Sequence, residues 1–90
     1  MIYKIRYSKS FDRSLKKMLS NGADVSIFKE AVYILQEKGV LPEEYKQHTL
    51  RGSKSGQQEA HLDDDWLIVW VKHNDKITFI DTGTHQDLFG

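Results

Sequence analysis

One uninterrupted apolar segment, the six residues from Trp66 to Val71, limits the folds open to this chain. The segment is rich in aromatic and β-branched side chains, and charged residues flank it on both sides. This pattern is typical of a strand that is buried on both faces. We therefore predict that the segment lies in the middle of a sheet, with residues 57–62 as its antiparallel neighbour across a tight turn.

The length and composition predict a small cytoplasmic domain. Ninety residues suffice for one compact core, so we expect residues 1–90 to form a single domain. The absence of cysteine excludes a disulfide framework, a thiolate metal site and a cysteine nucleophile. The early charges of Lys4 and Arg6 argue against a signal peptide, and no segment has the length of a membrane span.

Charge is unevenly distributed along a chain whose formal net charge is zero. Residues 1–22 contain six basic side chains and one acidic side chain, which gives +5, and the remainder carries −5. Four of these bases form a ridge on the predicted first helix: Lys9, Arg13, Lys16 and Lys17. Such a ridge is either an ordinary solvated face or a surface for phosphate contacts, because local clustering matters more than the total.

The other periodicities predict a strand, two helices, a long connection and a last strand. We expect a half-buried strand over residues 1–7, followed by a helix that is capped by Ser8 or Ser10 and ended by Asn21 and Gly22. A second helix should run from Asp24 to Gly39. We then expect an irregular connection over residues 39–56 and, after the paired strands, a third meander strand over residues 77–83. In that last strand, alternation groups Ile77, Phe79 and Asp81 on one face and Thr78, Ile80 and Thr82 on the other.

Three titratable side chains meet at one end of this meander. His61 ends the first strand, Asp65 opens the second, and His85 follows the third, so the chain reversals return all three to the same end of the sheet. His48 lies in the long connection, with the basic residues Lys46, Arg51 and Lys54 close to it. His73 lies at the opposite end of the central strand, where we expect it to be exposed.

Histidine clusters of this kind fit several chemistries. A pair of imidazoles can deprotonate a ribose 2′-hydroxyl and protonate the departing 5′-oxygen, which cleaves RNA without a metal. A carboxylate can orient one ring, and nearby cations can stabilise the phosphorane. A zinc site is an alternative, but the spacing matches no compact ligand motif. Histidines with only structural or surface roles remain the third interpretation.

Three phrases of the sequence carry a family resemblance: YKQHTLRGS, EAHLDDDWLIVW and DTGTHQDLFG. With the order of elements, they resemble the YafQ type of the RelE/ParE toxin superfamily, the toxins of bacterial type II toxin–antitoxin pairs. The resemblance covers essentially the whole chain. It implies a RelE-like α+β fold, in which an N-terminal strand and a two-helix hairpin pack on a mainly antiparallel, curved β-sheet.

The resemblance also implies an activity and a set of site residues. The activity is ribosome-dependent cleavage of messenger RNA in the ribosomal A site, without a cofactor or a metal. The family's catalytic positions fall on His48, His61, Asp65 and His85, with His85 as general acid and His48 as base. Phe89 would stack on a base, and the other RNA contacts would come from the ridge and from Lys46, Arg51 and Lys54.

The implied partners are the ribosome with its RNA, the message, and a cognate antitoxin of the DinJ or RelB type that carries a DNA-binding segment. Operator DNA would be bound only through the antitoxin, and no membrane is involved. Two alternatives remain, a ParE-like toxin that binds a topoisomerase and a degenerate toxin that acts only through protein binding. The acidic Asp63 and Asp64 depart from what an RNA-binding surface requires, so we expect them to point away from the message.

Overall fold

The computed structural model describes residues 2–52 and 56–90. Five strands and three α-helices lie within them in the following order: β1 Lys4–Tyr7, α1 Lys9–Ser20, α2 Val25–Lys38, β2 His48–Thr49, β3 Gln58–Asp63, β4 Trp66–His73, β5 Lys76–Gly83 and α3 His85–Phe89. No helix in these two ranges is long and apolar enough to cross a membrane.

The strands form one mixed sheet in the order β1-β5-β4-β3-β2. The apolar segment forms β4 at its centre, and Trp66 to Trp70 are all buried, which confirms the prediction of a central strand. β1 pairs in parallel with β5, and the other neighbours are antiparallel. The predicted α+β class with a mainly antiparallel sheet is therefore confirmed.

The two long helices begin and end at the residues that the sequence indicates. Ser8 caps α1 by accepting a hydrogen bond from the Phe11 amide, and Asp24 caps α2 by accepting one from the Ser26 amide. Gly39 ends α2 with a left-handed φ of 76°. A side chain at Gly39 would collide with the ring of Tyr3, 2.6 Å from the position of a Cβ atom.

The core lies between the helices and one face of the sheet. Aromatic rings dominate it, and Phe11 packs on Phe28 and Phe79 with ring centroids 5.8 and 5.4 Å away. Trp70 contributes from the central strand, where it is fully buried, and Leu35 from α2. Among the described residues, no helix of this core cluster lies on the opposite face of the sheet, which we call the open face.

The structure corrects two of the predicted strand and loop assignments. The connection over residues 39–56 is not wholly irregular, because a 3-10 turn at Glu43–Tyr45 and the short strand β2 lie within it. The predicted alternation along β5 fails after Phe79, since a bulge leaves Ile80 between the paired positions. Thr82 thereby joins the buried side and is 2% exposed.

No element is predicted from the sequence for the chain after β5. In the structure, residues 85–89 form α3, whose N-cap is Thr84. Thr84 and Asp87 make a capping box, in which each side chain accepts a hydrogen bond from the other residue's backbone amide, at 3.1 and 3.0 Å. This short helix places His85 at its first position.

Candidate active site

Asp65 binds His85 through two hydrogen bonds at the end of the sheet. Its Oδ1 accepts one from the His85 backbone amide at 2.8 Å and one from Nδ1 of the ring at 2.6 Å. A carboxylate held this way fixes the tautomer, because Nδ1 carries the proton and Nε2 is left for a substrate. The 20 residues that separate them in sequence are bridged by the β4–β5 hairpin.

These two hydrogen bonds also set the ionisation of the acid. The His85 backbone amide, and after it the His85 ring, lower the pKa of Asp65 below its ordinary value. The side chains of Asp65 and His85 are 62% and 52% exposed, so both groups are accessible to solvent. Asp65 is therefore an ionised, accessible carboxylate that orients an imidazole.

His61 joins this pair from β3. Its ring centroid lies 5.6 Å from that of His85, and the planes are tilted by 49°. The predicted convergence of His61, Asp65 and His85 at one end of the sheet is thus what the geometry shows.

His48 approaches the same face from the edge strand β2. It pairs in register with Glu59, and its Nε2 lies 3.1 Å from Oε1 of that residue. Glu59 and His61 are two residues apart on β3, so both project to the face opposite Ala60 and the helical core. His48 therefore shares the open face with His61, about 7 Å further along the strands.

The open face has an apolar floor. Leu67 and Val69 lie opposite His61 and Glu59 on β4, are 0% and 4% exposed, and fall outside the core cluster beneath the helices. Both side chains are therefore shielded from solvent although they lie on the face away from that cluster. Charged groups above an apolar floor interact more strongly than in open water, because the local dielectric is lower.

The basic ridge lies beside this site. Its four members, Lys9, Arg13, Lys16 and Lys17, are all exposed on α1. Nζ of Lys17 lies 3.6 Å from Oδ1 of Asp87, two residues after His85, so the C-terminal end of the ridge contacts α3. The ridge and the histidines can therefore contact one extended ligand.

The remaining candidates are the basic residues near His48 and the aromatic residues Trp66 and Phe89. Lys46 and Arg51 are exposed on either side of β2, close in sequence to His48. Phe89 is 54% exposed in α3, and Trp66 is 3% exposed, which confirms its core position. Lys54 lies outside the described residues.

Asp63 and Asp64 are exposed, and they line a cleft that Asp65 of the site also lines. This cleft has a volume of about 640 Å³, and Lys17, Thr84 and Asp87 line it together with the acidic turn. The pKa of Asp87 is lowered, chiefly by the hydrogen bond from the Thr84 amide. Within residues 2–52 and 56–90, no group of three or more histidine and acidic side chains is arranged to hold a metal ion.

Sequence reasoning missed Glu59 as a member of the site. Its side chain is 5% exposed, although glutamate is rarely buried unless it is paired. The available signal was its position two residues before His61 in a strand, which places both side chains on one face. The spacing of Thr84 and Asp87 likewise matches a capping box, which was the available signal for α3.

A family model described as "Bacterial toxin of type II toxin-antitoxin system, YafQ" matches residues 3–90. Among curated proteins, the chain is similar to the mRNA interferase toxin YafQ of Escherichia coli K12, with 32% identity over 87 residues that cover 96% of this chain and 95% of the relative.

Solved structures give the same picture. The toxin in the E. coli DinJ–YafQ complex has a TM-score of 0.89 and 31% identity, with 98% of this chain and 99% of that chain covered. A metal-bound toxin from Helicobacter pylori has a TM-score of 0.86 and 32% identity, with 99% and 100% covered.

Proposed function

The chain belongs to the YafQ family of bacterial type II toxin–antitoxin toxins, and we propose that it is an mRNA interferase, an endoribonuclease that cuts messenger RNA. The observation that carries this proposal is the hydrogen bond of 2.6 Å between Nδ1 of His85 and Asp65. It leaves an accessible, oriented imidazole beside two further histidines on an open face. Imidazole is the side chain best suited to proton transfer near neutral pH.

The proposed reaction needs no metal. One histidine removes the proton of the ribose 2′-hydroxyl, the 2′-oxygen attacks the phosphorus, and a second histidine protonates the departing 5′-oxygen. His48 and His85 divide these two transfers. His61 and Asp65 support the scissile phosphate and the His85 ring, and Lys46 and Arg51 stabilise the developing negative charge.

Cleavage takes place on the ribosome, in the A site. The basic ridge supports this part of the proposal, because it continues from the histidines along α1 and offers cations to a second stretch of phosphates. We propose that the ridge grips ribosomal RNA, while the open face engages the message and Phe89 stacks on a base. The protein therefore works in the cytoplasm.

The proposed partner outside the ribosome is a cognate antitoxin. The solved complex of YafQ with DinJ shows that a relative of similar fold assembles with such a protein. We propose a DinJ-like or RelB-like antitoxin for this chain, with contact to operator DNA only through the antitoxin.

The test is cleavage of a defined message by the purified protein, with and without ribosomes. We expect cuts only in the presence of ribosomes, and we expect His85→Ala and His48→Ala each to lower the rate by at least 100-fold. His73→Ala is the matched control, because His73 is exposed at the opposite end of β4. No cutting by the wild-type protein would favour a toxin that acts through protein binding alone.

The same assay tests metal independence, which the metal-bound relative makes necessary. We expect the cleavage rate to stay unchanged after treatment with a strong chelator and dialysis. A loss of rate that added zinc or copper restores would reject a reaction carried by histidines alone.

A further inference from the structure

The hydrogen-bonded pair of Asp65 and His85 depends on the chain segments that carry it. Both side chains are more than half exposed, and an exposed contact between side chains contributes little by itself, because water competes for both groups. Asp65 directly precedes β4, and His85 follows β5 after Thr84. The geometry of the pair is therefore determined by how the start of β4 is fixed against the end of β5.

The backbone pairing of β4 with β5 stops short of this pair. Its last register positions are Leu67 and Gly83. One hydroxyl extends the connection: Oγ1 of Thr82 donates to the Leu67 carbonyl oxygen at 2.6 Å and accepts a hydrogen bond from Nε1 of Trp66 at 2.9 Å. Because Trp66 is the residue after Asp65, this hydroxyl joins the two strands beyond their last backbone pair, on the side toward the site.

Burial makes this connection stiff. Thr82 and Trp66 are 2% and 3% exposed, so water does not compete for their hydrogen bonds. Hydrogen bonds in such a low-dielectric interior are stronger than exposed ones, and breaking one leaves a buried polar group unsatisfied. The connection through Thr82 is therefore better fixed than the exposed pair that lies next to it.

The bulge in β5 brings the Thr82 hydroxyl to the buried side. Regular alternation would place Thr82 on the face opposite Phe79, but the extra residue Ile80 shifts the alternation by one. The Ile80 carbonyl oxygen accepts hydrogen bonds from the hydroxyls of Ser10 at 3.2 Å and Ser8 at 3.4 Å, so the start of α1 contacts the bulge. Bulges beside active sites commonly redirect a side chain in this way.

We propose that Thr82 is a positioning residue for the reaction: its hydroxyl fixes the start of β4 against the end of β5, and thereby sets the distance and angle at which Asp65 holds the ring of His85. This inference rests on the proposed function and adds a residue that is buried away from the message. It holds whichever histidine gives and whichever takes a proton.

Two substitutions of Thr82 and one control separate this role from ordinary stability. Thr82→Val keeps the shape and removes the hydroxyl, whereas Thr82→Ser keeps the hydroxyl and removes only a methyl group. Thr78→Val is the matched control, since Thr78 is a partly buried threonine on the same strand that pairs with Val71, farther from the site.

The first experiment determines the tautomer of the His85 ring in the free protein by ¹⁵N NMR, at a pH at which the ring is neutral. We expect the proton on Nδ1, where Asp65 accepts it, in the wild-type protein, in Thr82→Ser and in Thr78→Val. Thr82→Val should shift the population toward the Nε2 tautomer. A wild-type tautomer in Thr82→Val, or a wild-type protein that carries the proton on Nε2, would overturn the proposal.

The second experiment measures cleavage on ribosomes at a temperature at which circular dichroism shows every variant to be fully folded. We expect Thr82→Val to lower kcat by about 10- to 100-fold with little change in KM, because a displacement of about 1 Å at a reacting group has an effect of this size. Thr82→Ser should stay close to the wild type, and Thr78→Val should match it. A lower melting temperature of Thr82→Val with an unchanged kcat would show a purely structural role and reject the proposal.

Trp66→Phe is a second variant, so the test does not depend on whether Thr82→Val folds. Phenylalanine removes the indole donor and leaves the bond from Thr82 to Leu67 in place. We expect a smaller shift of the His85 tautomer in the same direction, and wild-type values for both the tautomer and kcat would contradict the proposal. Because the tautomer is measured in the free protein, it decides on Thr82 even if the wild-type protein cuts no RNA, a result that would reject the proposed function alone.

Discussion

At the scale of residues, one exposed and one buried carboxylate each pair with a histidine of the site, Asp65 with His85 and Glu59 with His48. Asp65 is 62% exposed and Glu59 is 5% exposed. The exposed acid keeps its charge through hydrogen bonds from His85, whereas the buried one lies 3.1 Å from the ring of His48. The two histidines of the site therefore differ in environment although their residue type is the same.

Asp65→Asn should change both activity and acid stability. The lowered pKa of Asp65 means that its stabilising contribution is present above its unfolded pKa of about 3.9 and is lost as pH falls through the lower native value. We expect the melting temperature of the wild-type protein to exceed that of Asp65→Asn from pH 5 to 7 and to converge with it below about pH 4.

The same variant should cleave about 10- to 100-fold more slowly, because the His85 ring loses its ionised partner. Asp64→Asn is the control, since Asp64 is an exposed acid next to Asp65. A melting-temperature difference that persists unchanged at pH 3 would contradict the assigned role of the Asp65 charge.

Thr82→Val should destabilise the fold by about 1–3 kcal/mol. The buried hydroxyl of Thr82 donates to the Leu67 carbonyl at 2.6 Å and accepts from Nε1 of Trp66 at 2.9 Å. Valine keeps the volume and leaves both groups unsatisfied. Urea unfolding measures the loss, and Thr78→Val, on the same strand, should cost less than half as much because Thr78 is only partly buried.

At the scale of elements, the five residues of α3 depend on their cap. A helix of this length has no stability of its own in water, so the Thr84–Asp87 capping box and the Asp65 hydrogen bonds must hold it. Gly83 permits the close approach, because a Cβ atom there would lie 2.8 Å from Asp87. The position of His85 therefore depends on four residues around it: Asp65, Gly83, Thr84 and Asp87.

Thr84→Ala should lower stability by about 0.5–2 kcal/mol and release α3. We expect faster hydrogen exchange of the amides of residues 87–88 and slower cleavage, with the rest of the protein unchanged. Ser20→Ala is the control, since Ser20 is exposed at the end of α1 and caps no helix N-terminus. Unchanged exchange in α3 would show that the Asp65 contacts alone hold the helix.

The elements that the sequence predicts well are those with a strong period or a clear cap. β4, α1 and α2 have apolar patterns long enough to identify, and Ser8, Asp24 and Gly39 mark the helix ends. The bulge at Ile80 could not be predicted, because it depends on the pairing with Val69 and Trp70. The two residues of β2 carry no periodic signal and form a strand only because β3 offers an edge.

The part of the site that the order of the strands determines could be predicted from the sequence. His61, Asp65 and His85 meet because two hairpins return them to one end, which the order of strands implies. The pairing of His48 with Glu59 needs the register of β2 against β3, which the sequence does not contain.

At the scale of the whole molecule, the zero net charge hides a separation of charge over the surface. The exposed bases of α1 face solvent on one side of the site, and the acidic turn at Asp63 and Asp64 lines the neighbouring cleft. Lys17 of the ridge also lines this cleft, whereas Lys9, Arg13 and Lys16 are not among its lining residues. Fields at physiological salt extend over about 8 Å, so a ligand responds mainly to the charges near it. A polyanion close to the ridge therefore experiences the positive charge of α1 and not the zero net charge of the whole molecule.

Arg13→Gln combined with Lys16→Gln should raise KM for ribosomes and leave kcat within about twofold. Each lost phosphate contact should lower the slope of log affinity against log salt by about 0.7 to 0.9. Lys29→Gln with Lys38→Gln removes the same charge from exposed positions of α2 and is the control. Equal effects of the two double variants would show a dependence on net charge alone.

The parallel pairing of β1 with β5 joins residues more than 70 positions apart, Lys4 with Lys76. Because such long-range contacts form late, the first strand has no partner until residues 76–79 have been synthesised, and His85 comes later still. During translation the pairing of Asp65 with His85 therefore cannot form until nearly the whole chain has been made.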